Sequence, residues 1–110
     1  MKSLAMIALL VLASGAAQAE SPAVPAKAAT CFACHGQGGH STVGMYPILA
    51  GQYDSYIERA LHEYKSGDRK NAIMNGQAAG LSDAEITELA RYFGAQDSTL
   101  YTPTEQGALK

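Results

Sequence analysis

Cys31-Phe32-Ala33-Cys34-His35 holds both cysteines of a 110-residue chain, and the reading of these five positions decides the rest. A C-x-x-C pair admits several chemistries. A zinc site needs four closely spaced ligands, and His35, His40 and His62 do not fall at zinc-finger intervals. A thioredoxin-like dithiol needs a preceding strand and a βαβ chain around it. The stretch before the motif, Ala23 to Thr30, is Ala-rich, and no β-rich run follows. A structural disulfide across so short a loop removes little chain entropy and leaves His35 without a role. Read as a c-type haem attachment signal, C-x-x-C-H accounts for all five residues. Each thiol then adds to a haem vinyl group, and the adjacent imidazole lies under the iron.

Upstream, Met1-Lys2-Ser3 is a short basic start, Leu4 to Ala13 is an apolar run and Ala17-Gln18-Ala19 is a small-x-small cleavage signature. Together they read as a secretory signal peptide over residues 1–19, followed by a single domain over 20–110. The apolar run is shorter than the roughly 20 residues of a membrane span, so no stable membrane insertion is expected after cleavage. Export fits covalent haem attachment, which bacteria carry out outside the cytoplasm, and the expected location is the periplasm. Eight basic and ten acidic residues give a net charge of −2, which excludes the basic face of a nucleic-acid binder. At 47% hydrophobic and 16% charged, the chain is not a disordered one. Two Phe, six Tyr and no Trp, set among many Ala and Gly, leave few large side chains for a core. Small domains of this kind need help from outside their own side chains, and this composition suits a chain that wraps a large apolar group.

Coarse patterning gives helices and no strands. Ser21 as N-cap and Pro22 at the first helical position predict a helix through Ala23 to about Ala33. Tyr53, Ile57, Ala60, Leu61 and Tyr64 form one stripe of a second helix over about Gln52 to Ser66, with Gly67 as its stop. Ser82 and Glu85 read as a capping box. Ile86, Leu89, Ala90 and Phe93 form the stripe of the helix that follows, with Gly94 at its end. Gly36-Gln37-Gly38-Gly39 fails the dinucleotide-binding pattern and reads as a tight turn passing close to the porphyrin.

On Cys31 to Gly36, Tyr46-Pro47-Ile48-Leu49-Ala50-Gly51-Gln52, Met74, Leu81-Ser82-Asp83 and Leu89-Ala90-Arg91-Tyr92-Phe93, the sequence resembles class I c-type cytochromes. It is most similar to the short, single-haem bacterial periplasmic kind, cytochrome c-553 and its relatives, from about Ala26 to Phe93. The resemblance implies an all-α cytochrome c fold, three to five helices wrapped around one covalent haem c. It implies thioethers at Cys31 and Cys34, His35 as proximal ligand and Met74 as the second axial ligand. It also implies that the Pro47 carbonyl accepts a hydrogen bond from the His35 ring, and that the last helix crosses the first near Leu89 or Tyr92. Met45, His40 and His62 are the other side chains able to ligate iron. Met45 and His40 follow the attachment site closely, and His62 lies off its helix stripe, as a surface residue does. Met74 is expected in a loop between two helices.

The function so implied is one-electron transport between redox partner proteins, a membrane-bound reductase or oxidase among them, by a monomer that is not an enzyme. His/Met ligation and burial of the haem raise the potential. Arg69 and Lys70, beside the Met74 segment, either face an acidic partner or are simply solvated. The alternatives are a haem-bearing subunit docked to a dehydrogenase or oxidase, and a haem protein whose open sixth site binds small ligands.

Overall fold

In the computed structural model, which describes residues 22–98, Pro25 sets where the first helix begins. The signal peptide expected over residues 1–19, the Ser21 cap and everything beyond Ser98 lie outside the described residues. Helix α1 covers Ala28–His35 and starts six residues later than the sequence pattern suggests. Pro25 disfavours helical geometry at Val24, so the chain can enter a helix only after it. The Pro25 carbonyl accepts the Ala28 N–H at 3.0 Å, and Lys27 stands at the N-cap without a side-chain bond.

Helix α2 covers Asp54–Ser66. Tyr53, expected on its buried stripe, is instead the N-cap residue and is 47% exposed; Ile57 carries the buried face. Asp54 in the first turn and Lys65 in the last both complement the helix dipole. Gly67 ends α2 as expected, with φ 86° and its N–H donating to the Glu63 carbonyl.

Helix α3 covers Ala72–Ala79, where a loop is expected. Asn71 is a cap rather than a loop marker: its side chain accepts the N–H groups of Ile73 and Met74 at 3.1 and 3.0 Å. Helix α4 covers Asp83–Gly94 and opens with the full capping box. Ser82 Oγ accepts the Glu85 N–H at 3.2 Å, and Glu85 Oε2 accepts the Ser82 N–H at 2.8 Å. Gly94 belongs to the helix, and Ala95 follows as the cap. A Cβ on Gly94 would lie 3.1 Å from the Gln52 carbonyl oxygen and 3.3 Å from the Asp54 nitrogen, so close packing on the start of α2 is the reason for glycine.

The described residues form an all-α structure of four helices without strands. Helix α2 packs against both α3 and α4. Ala28 and Phe32 of α1 join Leu89, Tyr92 and Phe93 of α4 in the core, so the two helices touch at the residues where the family resemblance implies a crossing. Phe32 sits 6.1 Å, centroid to centroid, from both Tyr92 and Phe93, edge-on to Phe93.

Candidate functional site

The C-terminal end of α1 carries Cys31, Cys34 and His35. Cys31 and Cys34 are three residues apart, so their side chains leave the same side of the helix. Both thiols are free and partly buried. Cys31 Sγ lies 3.8 Å from the Lys27 carbonyl, the preceding turn. Burial pushes the Cys31 thiol up from its ordinary value, and the neighbouring Cys34 adds to the rise.

His35 is the last residue of α1 and is 7% exposed. Its Nδ1 lies 2.8 Å from the Pro47 carbonyl oxygen. That oxygen can only accept, so Nδ1 carries a hydrogen, and in the neutral ring Nε2 is the nitrogen with the lone pair. The Tyr46 ring stands edge-on to it, 6.4 Å from centroid to centroid.

Backbone stitching brings Pro47 to this place. After Gly36, with φ 79°, the chain makes a 3₁₀ turn over Gln37–Gly39. The Gly39 carbonyl accepts the N–H groups of Leu49 and Ala50 at 2.9 and 3.2 Å. The Gly51 N–H donates to the Phe93 carbonyl at 2.9 Å, which fixes the far end of the same segment to α4. The turn expected at Gly36 to Gly39 is present. What presses on Gly39 is the chain itself, since a Cβ there would meet the Ala50 nitrogen and the Phe93 ring at 2.9 Å.

The other candidate ligands separate clearly. Met45 is 76% exposed, in the loop before Pro47. His62 lies on α2 with Nδ1 3.9 Å from an Asp83 carboxylate oxygen, a surface pairing. His40 has both ring nitrogens against carbonyl oxygens, Nδ1 on Gln37 at 3.0 Å and Nε2 on Asp97. Met74 is partly buried in the first turn of α3. The structure thus joins His35 to Pro47 by a direct contact, sets Cys31 and Cys34 on the same helix and places Met74 on a separate one.

Arg69 is not merely solvated. It donates from Nη1 to the Tyr56 hydroxyl at 3.2 Å, and its guanidinium carbon lies 5.0 Å from the Tyr64 ring centroid. Asn71 and Asn75, expected within the loop that carries Met74, are instead a helix cap and an interhelical anchor. The signal for Asn71 was present, as an Asn directly before Ala72 and Ile73 is an N-cap pattern.

The residues present fit a c-type haem. Two free thiols share a helix face, an imidazole nitrogen is left with its lone pair by a fixed partner, and a thioether sits in a partly buried helix turn. Nitrogen and thioether sulfur are the donors that haem iron takes.

The family model described as Cytochrome c matches residues 25–95. Cytochrome c-554(548) of Halomonas halodenitrificans is 40% identical over 74 residues, covering 64% of this chain and 89% of that protein. Cytochrome c4 of Pseudomonas aeruginosa is 40% identical over 80 residues, covering 73% of this chain and 40% of that one. The thiosulfate dehydrogenase electron acceptor of Thiomonas intermedia is 40% identical over 94 residues, 84% of this chain and 43% of that protein. The chain therefore spans most of the first relative and under half the length of the other two.

Proposed function

The chain belongs to the cytochrome c family and carries a covalent haem c for electron transfer; from that premise we propose how its residues do this, and where. Cys31 and Cys34 form the two thioethers, His35 is the proximal ligand, Pro47 orients it, and Met74 is the second axial ligand. The single observation that carries this reading is the His35 Nδ1 to Pro47 carbonyl contact of 2.8 Å, directly after the two cysteines. It favours the tautomer with the hydrogen on Nδ1, so that Nε2 would be the nitrogen available to a haem iron. It also makes the imidazole a stronger donor.

Bound haem supplies a one-electron iron couple between Fe(II) and Fe(III). The protein's part is to hold two ligands that stay in place in both states, so that little reorganisation accompanies transfer. Met74 is chosen over its rivals because His40 and His62 have surface partners and Met45 faces solvent. Its thioether is soft and favours Fe(II), which raises the potential. No general base or nucleophile is needed, so the protein acts as a carrier and not as an enzyme.

Its place of work is the periplasm, which the leader-like sequence of residues 1–19 supports. No helix among the described residues is long and apolar enough to cross a membrane. Its partners are redox proteins. The similarity to a thiosulfate dehydrogenase electron acceptor favours a dehydrogenase as donor, met by a free monomer or by a docked subunit. Arg69, immobilised by Tyr56 and Tyr64, and exposed Lys70 are charges such a partner can meet.

Replacing Met74 tests the assignment. In Met74→Ala the reduced and oxidised spectra shift toward high spin, and the midpoint potential falls by more than about 60 mV, one decade in relative stabilisation of the two iron states. Spectra and potential identical to wild type would refute the ligand role. Carbon monoxide titration of the reduced wild type separates the remaining alternative, since rapid, tight binding at neutral pH marks an open sixth site.

A further inference from the structure

We propose that Asn75, acting with Asn71, is a positioning residue that holds the Met74 thioether in place by clasping α3 to the end of α2. The inference rests on the reading of Met74 as axial ligand and adds to it the device that keeps that ligand on.

Helix α3 has little of its own to hold it. It is eight residues long, short of the length at which an isolated helix is stable. Gly76 lies in its interior, and Ala78 is its one fully buried residue. Met74 is four residues before Ala78, so the two side chains share the inward face.

Directional bonds supply what apolar contact does not. One Asn75 amide uses both donors and its acceptor: Nδ2 donates to the Tyr64 carbonyl at 2.7 Å and to the Arg69 carbonyl at 2.8 Å, while Oδ1 accepts the Asn71 N–H at 2.7 Å. The Tyr64 carbonyl is among the last four of α2, which have no partner within their own helix. Asn75 therefore caps α2 and anchors α3 with the same group.

The pair is also closed on itself. The Asn75 N–H donates to the Asn71 carbonyl at 2.9 Å, and the Asn71 side chain accepts the Met74 N–H. The residues on either side of the Met74 turn are thus tied to each other, to the intervening loop and to α2. Apolar contacts between helices allow a slide of a fraction of a turn. A three-bond amide does not, because a small displacement leaves the partly buried Tyr64 and Arg69 carbonyls unpaired. A sulfur one residue from such an anchor returns to the same place after each excursion.

The test measures how often the thioether leaves the iron. Imidazole binds oxidised haem only when the sixth position is vacated, so its apparent affinity scales with the fraction of open molecules. Oxidised holoprotein is titrated with imidazole for wild type, Asn75→Ala, Asn75→Asp, Met74→Ala and, as a control on the exposed side of α3, Gln77→Ala. Asn75→Asp keeps the side-chain volume and the acceptor for Asn71 but loses both donors, so it carries the test if the alanine variant fails to fold. We expect imidazole to bind roughly tenfold or more tightly in both Asn75 variants, more tightly still in Met74→Ala, and unchanged in Gln77→Ala.

Wild-type affinity in both Asn75 variants, with tight binding in Met74→Ala, overturns the clasp and leaves the ligand assignment standing. Wild-type affinity in Met74→Ala overturns the ligand assignment itself. Tighter binding in the Asn75 variants that comes with loss of the far-ultraviolet helix signal marks general unfolding, and also overturns the clasp.

Discussion

Both ring nitrogens of His40 face carbonyl oxygens, and a neutral imidazole has only one hydrogen to offer them. The charged form satisfies both, so the Asp97 and Gln37 carbonyls raise its pKa above the ordinary 6.5, and the Asp97 carboxylate contributes in the same direction. A raised folded-state pKa adds stability that is fully present below the unfolded value and is lost as pH rises through the folded one. The His40 bridge joins the turn after His35 to the chain beyond α4, so it bears on the loop that places Pro47. Urea unfolding of wild type and His40→Ala should show the largest gap in midpoint below about pH 6.5. The gap should close progressively above it. A gap that does not vary between pH 5 and 9 would mean that the bridge does not titrate. The same scale shows what could be foreseen. His35, Cys31 and Cys34 were legible because five adjacent residues carry the chemistry by themselves. The partners of His40 were not, since Asp97 lies 57 residues away and offers a backbone oxygen, which has no sequence identity.

At the scale of elements, glycine separates what the sequence reveals from what packing decides. Gly76 lies inside α3, and Gly94 is the last residue of α4. Nothing stands within 4 Å of a Cβ built on Gly76, so Gly76→Ala should stabilise the protein by about 0.5–1 kcal/mol through helix propensity. At Gly94 the same gain meets the backbone of Gln52 and Asp54 at 3.1–3.3 Å, atoms that cannot swing aside. Gly94→Ala should therefore destabilise, by pushing α4 off the start of α2. Equilibrium urea unfolding of the two variants checks the opposite signs; stabilisation in both would show that α2 yields easily. A glycine near the end of an apolar stripe reads as a stop, and at Gly67 that reading holds because φ is positive. At Gly94 it does not, because the cause is a neighbouring helix that local sequence does not announce. Competing local signals account for the other two helices: Ser21 and Pro22 favour an earlier start for α1 but Pro25 delays it, and the loop expected around Met74 is a helix because Asn71 caps it and Asn75 ties it to α2. The capping box of α4 was legible because both of its partners lie within one turn.

At the scale of the whole molecule, the largest side chains that the described residues bury completely are Phe93, Ile86 and Leu89, and Ala28, Ala50, Ala78 and Ala90 supply much of the remaining buried set. A core of this size is marginal for a chain this short. The residues read as haem contacts are dispersed along the fold: Cys31, Cys34 and His35 on α1, Pro47 in the following loop and Met74 on α3. Anything that binds only the folded arrangement of these positions stabilises it by mass action, and covalent attachment keeps the local concentration permanently high. Folding and attachment are then one linked event. Cys31→Ser with Cys34→Ser, produced in the same host, should yield protein without covalent pigment, and its far-ultraviolet helix signal at 25 °C should fall well below that of wild type. Either single serine variant keeps one thioether and should retain most of the helix while melting at a lower temperature. Intact mass gives the attachment state of each sample, so the spectra are compared at known haem content. A double variant that keeps its full helix signal without pigment would mean that Phe93, Ile86 and Leu89, with the small residues around them, suffice to hold the four helices together.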